Sequence, residues 1–499
     1  MERKKMIELQ GMLLGMEFGN ILTLLLSIVT ILNILLLAWV LFIERRDVGN
    51  TWAWIMVLVF LPIVGFFIYL FFGRSLKQKN FYNLSVAERK AEKTEVDKQL
   101  LPENLARLES NPLLKDHTEL IHMNLKSSHA LLSKDNHIEI FDDGHKKFAA
   151  LFKDISSATK EINIQYYIIQ SDSLGTKLRD LLIQKAKEGV KVRLLYDEVG
   201  SKKTPPRFYN ELRAAGGGVE VFFPSMFRLV NFRVNNRNHR KLCIIDGEIA
   251  YIGGFNVGDE YLGLDKKFGY WRDTHFRIKG GAVNHIQGKF ILDWHQASKK
   301  EPGDWGDYLF QTEKHIGTSP VQIVSSGPNS ETEHLKNMYI KLLLSAKKSV
   351  YIQTPYFIPD TSFMDACKIA LLSGIDVQIM IPCKPDHPFV YWATWSYVGD
   401  LLDYGAKVLL YENGFLHAKT IVVDEEVSVV GTMNIDSRSF RLNFEVTAIV
   451  YDEKVATQLT DLFNQDAKLS SELTKERYGE RSLLIKFKQS ISRLLSPVL

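Results

Sequence analysis

The string His239-Arg240-Lys241-Leu242-Cys243-Ile244-Ile245-Asp246 returns in outline as His417-Ala418-Lys419-Thr420-Ile421-Val422-Val423-Asp424. The shared pattern is H-x-K-x4-D, and both copies extend through x6-G-[GT]-x-N to Asn256 and Asn434. Each His, Lys, Asp, Gly and Asn of the second copy falls 178 residues after its counterpart. A register held over that distance limits the chain to a duplicated architecture in which each half repeats one strand–turn–strand unit. It also brings two imidazoles, two ammonium groups and two carboxamides into one chemical set, which suits a phosphodiester.

The repeat is wider than the motif. In the first half, Ser157-Ala158-Thr159-Lys160 leads into a strand-like run at 162–167, a helical segment, Glu188-Gly189 and an apolar run at 190–196. The second half repeats this order with Ser345-Ala346-Lys347-Lys348, 350–353, a helix ending at Ser373-Gly374, and 375–381. Glycine turns and a further strand (219–223 or 407–411) then precede each motif. Strands alternating with helical segments predict an α/β fold. The expectation is two pseudo-symmetric α/β/α sandwich halves with mixed sheets, at 135–310 and 311–499. The first half carries an extra basic loop at 228–237.

Alternation along a strand points His239 and Lys241 the same way, and likewise His417 and Lys419. Asp246 lies at odd parity from His239, and Asp246-Gly247 has the composition of a hairpin turn. The motif groups Asp246 and Asp424 with the catalytic candidates, but parity assigns them to turn and strand geometry. The glycines at the end of the second strand allow backbone to approach a ligand closely, with Asn256 and Asn434 as candidate phosphate binders.

Two histidines beside a phosphodiester can divide the labour. One attacks phosphorus; the other protonates the leaving alkoxide and later deprotonates the acceptor. Lys241 and Lys419 supply positive charge, so neither a metal nor another cofactor is expected. A nucleophilic imidazole also needs a carboxylate on its other nitrogen. Asp273 and Glu445, at comparable distances downstream of the two histidines, are the candidates. The competing explanation is a duplicated structural hairpin that has lost catalysis; it predicts decay of His or Lys in one copy, and neither has decayed.

The N-terminal 80 residues differ sharply from the rest. Runs at 18–43 and 51–72 contain no Lys, Arg or Asp, and each is long enough for a hydrocarbon core of about 30 Å. They predict two transmembrane helices, with Trp39, Trp52 and Trp54 near their ends. A cleaved signal peptide fits poorly, because Glu44-Arg45-Arg46-Asp47 stands where small residues belong. Arg3, Lys4 and Lys5 before the first run and Arg74, Lys77 and Lys79 after the second outnumber Arg45 and Arg46 between them. The expected location is therefore the cell membrane, multi-pass, with a cytoplasmic body. A charged, partly helical linker is expected at 81–134.

The formal charge of +4 suits an anionic membrane surface without arguing for nucleic acid. Three cysteines make neither a disulfide framework nor a CxxC metal site. The aromatic stretch 389–397 fits the mouth of an apolar pocket and the core face of a helix equally well. Leu483, Leu484, Phe487, Ile491, Leu494 and Leu495, interspersed with Lys486, Lys488 and Arg493, predict an amphipathic helix. Such a helix either docks on the second half, the preferred expectation, or lies on anionic lipid.

These residues resemble the phospholipase D superfamily, whose signature is this duplicated motif, over about 135–460. The wider arrangement resembles bacterial cardiolipin synthases. Further matches are Trp271-Arg272-Asp273, Gly253-Gly254-Phe255-Asn256, Ser437-Arg438-Ser439 with Asn443 and Glu445, and Arg493-Leu494-Leu495-Ser496-Pro497. The resemblance implies that two phosphatidylglycerols become cardiolipin and glycerol through a phosphatidyl-histidine. It implies His239 as nucleophile and His417 as acid/base, roles that the equivalent motifs do not themselves distinguish. Anionic membrane lipid is the expected partner, and nucleic acid is not. The alternatives are a membrane-anchored phospholipase D or nuclease using the same histidines, kept open by the basic loop, and a membrane scaffold with a dead duplicated domain.

Overall fold

The computed structural model describes residues 2–43, 48–73, 81–82, 86–225, 235–298 and 316–496. They form two compact units, Met1–Leu76 with Ser225–Asn235, and Lys77–Pro224 with Asn236–Leu499.

In the first unit a single helix runs Glu2–Phe42, well ahead of the apolar run that predicted it. The second predicted span is divided into Val48–Phe60 and Pro62–Phe72. Pro62 accounts for the break: it has no N–H and its ring crowds the preceding turn, and Leu61 leaves the helical region at φ −126°, ψ 61°. Asn33 Nδ2 donates to the Pro62 carbonyl at 2.7 Å, while Val40, Leu58 and Tyr69 form a small buried cluster. Ile21, Leu24, Ile28, Ile31, Ile34 and Leu35 are exposed. Among the described residues no helix is long and apolar enough to cross a membrane. Arg45, Arg46, Arg74, Lys77 and Lys79 of the charge count lie outside the described residues, as does most of the basic loop.

The second unit is built on one mixed sheet. Its first-half strands run in the order Leu132–Phe141, His275–Lys279, Ile249–Gly253, Leu242–Ile245, Glu161–Tyr166, Lys191–Asp197, Gly218–Phe222. The second half mirrors that order: Ser319–Ser326, Asn443–Tyr451, Val427–Gly431, Thr420–Val423, Ser349–Gln353, Asp376–Pro382, Lys407–Tyr411, with Ser470–Glu472 added at the edge. Alternation sorts the layers. Ile162, Ile164 and Tyr166 pack in the core beneath helices Gly144–Ser156 and Ser173–Lys187. Gln165 points the other way, to Asp293 on helix Ala282–Ser298, at 2.7 Å. In the second half Val350 and Ile352 join the core with helices His334–Ser345 and Thr361–Leu372. Tyr351 faces helix Glu453–Ala467, stacking on Phe463 at 5.0 Å. Each half is thus a three-layer sandwich.

One expectation needs correction. The halves do not keep separate sheets: Leu132 pairs with Gln322 in an antiparallel ladder between their first strands. An unpaired edge is a row of unsatisfied N–H and C=O groups, and joining the two edges removes it. The segment expected as a partly helical linker forms helices Val86–Gln99, Pro102–Glu109, Pro112–Asp116 and Thr118–Ser128, and Leu108, Leu114, Leu120, Ile121 and Leu125 belong to the second-half core. Its leucines carry that apolar face, and Asn124 reaches Gln322 at 3.1 Å.

Candidate active site between the two halves

Two short parallel strand pairs cross the boundary between the halves. Arg237–Asn238, just before the first motif, pairs with Asn443–Phe444 of the second half. Phe415–Leu416, just before the second motif, pairs with Trp271–Arg272 of the first. The backbone then carries each histidine across, with His239 N–H donating to the Phe444 carbonyl (2.9 Å) and His417 N–H to the Arg272 carbonyl (2.7 Å).

This crossing exchanges the carboxylates. His239 Nδ1 lies 2.9 Å from Glu445 Oε1, and His417 Nδ1 lies 2.5 Å from Asp273 Oδ2. Both candidates from the sequence sit against a histidine, and each serves the histidine of the opposite half. Glu445 is held by the Thr432 hydroxyl at 2.5 Å and the Asn443 amide at 3.2 Å. Asp273 accepts from Thr274 N–H at 2.8 Å. At the position equivalent to Thr432 stands Gly254, where an added Cβ would come within 1.9 Å of Asp273 Oδ1. With Nδ1 engaged, Nε2 is the nitrogen left for chemistry on both rings.

Both histidines line a cavity of about 530 Å³ with Asn256 and Asn434, and Tyr167, Trp271, Tyr356, Arg237, Arg438 and Asp436 complete much of its wall. Tyr167 meets His239 edge-on at 4.9 Å, and Trp271 lies 5.1 Å from His417. Asn256 Oδ1 accepts from Ile168 N–H at 3.2 Å and its Nδ2 donates to Tyr261 at 3.1 Å. Asn434 Oδ1 is buried with no hydrogen-bond partner among the described residues.

The lysines stand behind this wall. Lys241 Nζ donates to the His239 carbonyl at 2.7 Å, and Lys419 Nζ to the His417 carbonyl at 2.5 Å. Both are buried. Neither is among the residues that line the cavity. Burial lowers the Lys241 ammonium to about 7, against the pull of Glu445. Burial lowers Lys419 to about 8, against Asp273 and Glu445. Desolvation likewise drives His239 down to about 4 despite Glu445, and His417 to about 3, assisted by Lys419 and opposed by Asp273. Burial therefore favours the neutral form of both imidazoles. Burial raises the Asp273 carboxyl, but His417, Lys419 and the Thr274 N–H outweigh it and hold the group below its usual value.

Asp246 and Asp424, grouped by the motif with the catalytic candidates, are not in the cavity. Asp246 accepts from the N–H groups of Thr159, Lys160 and Glu161 at 2.7–2.9 Å, and Asp424 from Lys347, Lys348 and Ser349 over the same range. Each clamps its hairpin turn to the start of the neighbouring strand. Both have positive φ, 54° and 55°, a conformation that Asp tolerates better than most residues.

The sequence reading missed Tyr167, Tyr356, Arg237, Asp386 and Asp436 of the wall. Tyr167 and Tyr356 had a usable signal, since both lie just beyond the carboxyl ends of strands Glu161–Tyr166 and Ser349–Gln353, where ligands of open α/β sheets collect. Asp436 was legible as the cap of helix Ser437–Arg441, accepting from Ser439 N–H at 2.5 Å. Of the aromatic stretch 389–397, now within helix Pro388–Leu402, Val390 reaches the cavity; Ala393, Thr394 and Ser396 are buried in packing.

Comparison with known proteins fits this geometry. A family described as cardiolipin synthase, phospholipase D-like domain, matches 151–274 and 339–467, and one described as phospholipase D-nuclease N-terminal matches 31–74. The chain is 54% identical over 486 residues to the major cardiolipin synthase ClsA of Bacillus subtilis, covering 96% of this chain and 100% of the relative. It is 53% identical to the cardiolipin synthase of Oceanobacillus iheyensis with the same coverage of each. Among solved structures, phosphatidylserine synthase of Haemophilus influenzae superposes with a TM-score of 0.60 at 16% identity, over 78% of this chain and all of that one, a likeness of fold. By the two matched domains and the near-complete alignment to these relatives, the chain belongs to the bacterial cardiolipin synthases of the phospholipase D superfamily.

Proposed function

We propose that the protein makes cardiolipin by transferring a phosphatidyl group from one phosphatidylglycerol to another, releasing glycerol. The observation that carries this reading is the pair of histidines in one cavity, each with Nδ1 on a buried carboxylate of the opposite half. His239 is assigned as nucleophile: its Nε2 lone pair attacks phosphorus, and the bond from phosphorus to the glycerol headgroup breaks. His417 Nε2–H protonates the departing alkoxide. In the second step neutral His417 takes the proton from a hydroxyl of the second lipid. That oxygen attacks phosphorus and the P–N bond to His239 breaks, restoring both rings. No nucleotide enters this balance, because one phosphodiester is broken and one is made.

Burial opposes the protonated, acid form of His417, bringing it down to about 3. The anionic phosphodiester supplies the missing charge compensation and raises that value on binding. Asn256, Asn434 and the field of Lys241 and Lys419 orient and stabilise the non-bridging oxygens. The apolar helices of the first unit are assigned to the cell membrane as a multi-pass anchor with the body in the cytoplasm. Support comes from the exposed isoleucines and leucines of helix Glu2–Phe42 and from the N-terminal family match.

The test is incubation of purified full-length protein with phosphatidylglycerol, without nucleotide or divalent metal, with lipid products followed by mass spectrometry. Cardiolipin and glycerol in equal amounts support the transfer. Phosphatidic acid as the sole product would make the protein a hydrolase.

A further inference from the structure

The C-terminal helix Leu483–Leu494 is docked back to front. Its buried residues are polar, Gln489 and Ser492, followed by Ser496. They face helix Pro388–Leu402, where Arg493 pairs with Asp400 at 2.6 Å and meets Ser396 at 3.3 Å. Leu483, Leu484, Phe487, Ile491, Leu494 and Leu495 are all exposed, Leu483 at 83% and Leu494 at 76%. At 100° per residue these six fall on the single arc opposite Gln489. Lys486 borders one side of that arc and Lys488 the other. A helix that serves only to pack would turn these side chains inward.

We infer that this helix is a second membrane contact, lying in the headgroup region of an anionic bilayer and setting the cavity mouth against the lipid surface. An apolar arc flanked by lysines is the distribution that an interfacial helix requires. A second copy of the chain is a poor occupant. Twelve residues make a helix about 18 Å long, and a strip of that length falls well short of the roughly 800 Å² per partner of a stable interface. The two helices also run in the same direction, since Lys488 stands over Trp392 at 5.5 Å and Arg493 over Tyr397 at 4.5 Å. The start of the C-terminal helix therefore lies toward the end of its neighbour where His387 and Val390 line the cavity and Phe389 is exposed. The inference rests on a phospholipid substrate as proposed above, and is independent of the N-terminal helices.

The full-length enzyme would be placed in phosphatidylglycerol vesicles containing phosphatidylglycerol with a diazirine on its acyl chain, irradiated and digested. Label on the peptide bearing Leu483, Leu484 and Phe487 is expected. Absence of label there, or cross-linking of that peptide to a second copy of the chain, overturns the inference. In parallel, Leu484→Glu with Phe487→Glu should slow turnover in vesicles about tenfold while leaving turnover of dispersed short-chain phosphatidylglycerol unchanged. Equal loss on both substrates, or no loss on either, counts against it. Failure of the unmodified enzyme on the dispersed substrate would instead sink the proposed reaction, and the photolabel would still report on the contact.

Discussion

The two halves of the site share a plan and differ in how each histidine is held. His239 has the longer carboxylate, Glu445, steadied by Thr432 and Asn443. His417 has the shorter one, Asp273, fitted into space that Gly254 leaves open. Moving a carboxylate by one methylene has thus been matched by a change from Thr to Gly at the equivalent position. Duplication here fixes the backbone and the ring nitrogens, while the supporting groups differ between copies. A site whose chemistry needs one nucleophile and one acid gains from that difference, because identical surroundings would give both rings the same proton affinity.

The largest expected effect tests whether the halves act as one site. His239→Ala and His417→Ala should each reduce cardiolipin formation by at least about 10³-fold, since acid–base and nucleophilic roles are both indispensable. Rapid quenching with a radiolabelled phosphatidyl ester of p-nitrophenol, whose leaving group departs without a proton, then separates the roles: label should attach covalently to His417→Ala and not to His239→Ala. Label on His239→Ala would reverse the assignment, and substantial turnover by either variant would mean that the halves do not share one site.

A loss smaller than that of the ring itself, up to about 10⁴-fold by analogy with another carboxylate–imidazole pair, is expected for Glu445→Gln and Asp273→Asn. Their pH profiles should differ. Each carboxylate raises the proton affinity of its histidine, opposing the burial that lowers it. Removing Asp273 should therefore move the alkaline limb of turnover to lower pH, because the acid His417 loses its proton sooner. Removing Glu445 should leave that limb in place. The opposite pattern would make His239 the acid.

The strand–turn–strand repeat was legible because a strand's period of two and a fixed offset survive in one dimension. Parity alone moved Asp246 off the histidine, and the structure puts its carboxylate on three backbone N–H groups instead. The exchange of Glu445 and Asp273 was not legible. It depends on the pairing of Arg237 with Asn443, 206 residues apart in sequence, and comparable spacing in both halves hides which carboxylate crosses. Fusion of the two sheets through Leu132 and Gln322 is likewise a tertiary choice between edges. The C-terminal periodicity revealed an apolar face without revealing that this face turns outward.

The clamps away from the cavity should affect stability rather than chemistry. Asp424 is buried, whereas Asp246 is partly solvated. Asp424→Asn should cost about 2 kcal/mol and Asp246→Asn about 1 kcal/mol, as charge-assisted bonds weaken where water does not replace them. Thermal unfolding of the two variants checks the ranking. Burial raises the Asp246 carboxyl, but the N–H groups of Thr159, Lys160 and Glu161 outweigh it and lower the group overall. Its contribution should thus be full above the unfolded value of about 4 and be lost as pH falls through the lower folded value. Equal losses at neutral pH would mean that burial does not distinguish the two clamps.

The smallest expected effect lies one residue further on. The first turn is Asp246-Gly247, with φ of 54° and 67°; the second is Asp424-Glu425, with φ of 55° and 58°. Two consecutive positive φ values define the tight hairpin turn, and glycine at the second position meets them without a steric cost. Glu425 adopts the same angle with a Cβ, at a cost of roughly 1–2 kcal/mol, and is exposed. Glu425→Gly should relieve that strain, while the freer unfolded chain takes back part of the gain. A net stabilisation of about 0.5–1 kcal/mol follows, with turnover unchanged because the turn is not part of the cavity. Gly247→Glu in the first half should be destabilising by a similar amount. If both substitutions left the unfolding midpoint where it was, the two turns would be energetically equivalent, and the asymmetry between the halves would be confined to the carboxylates around the histidines.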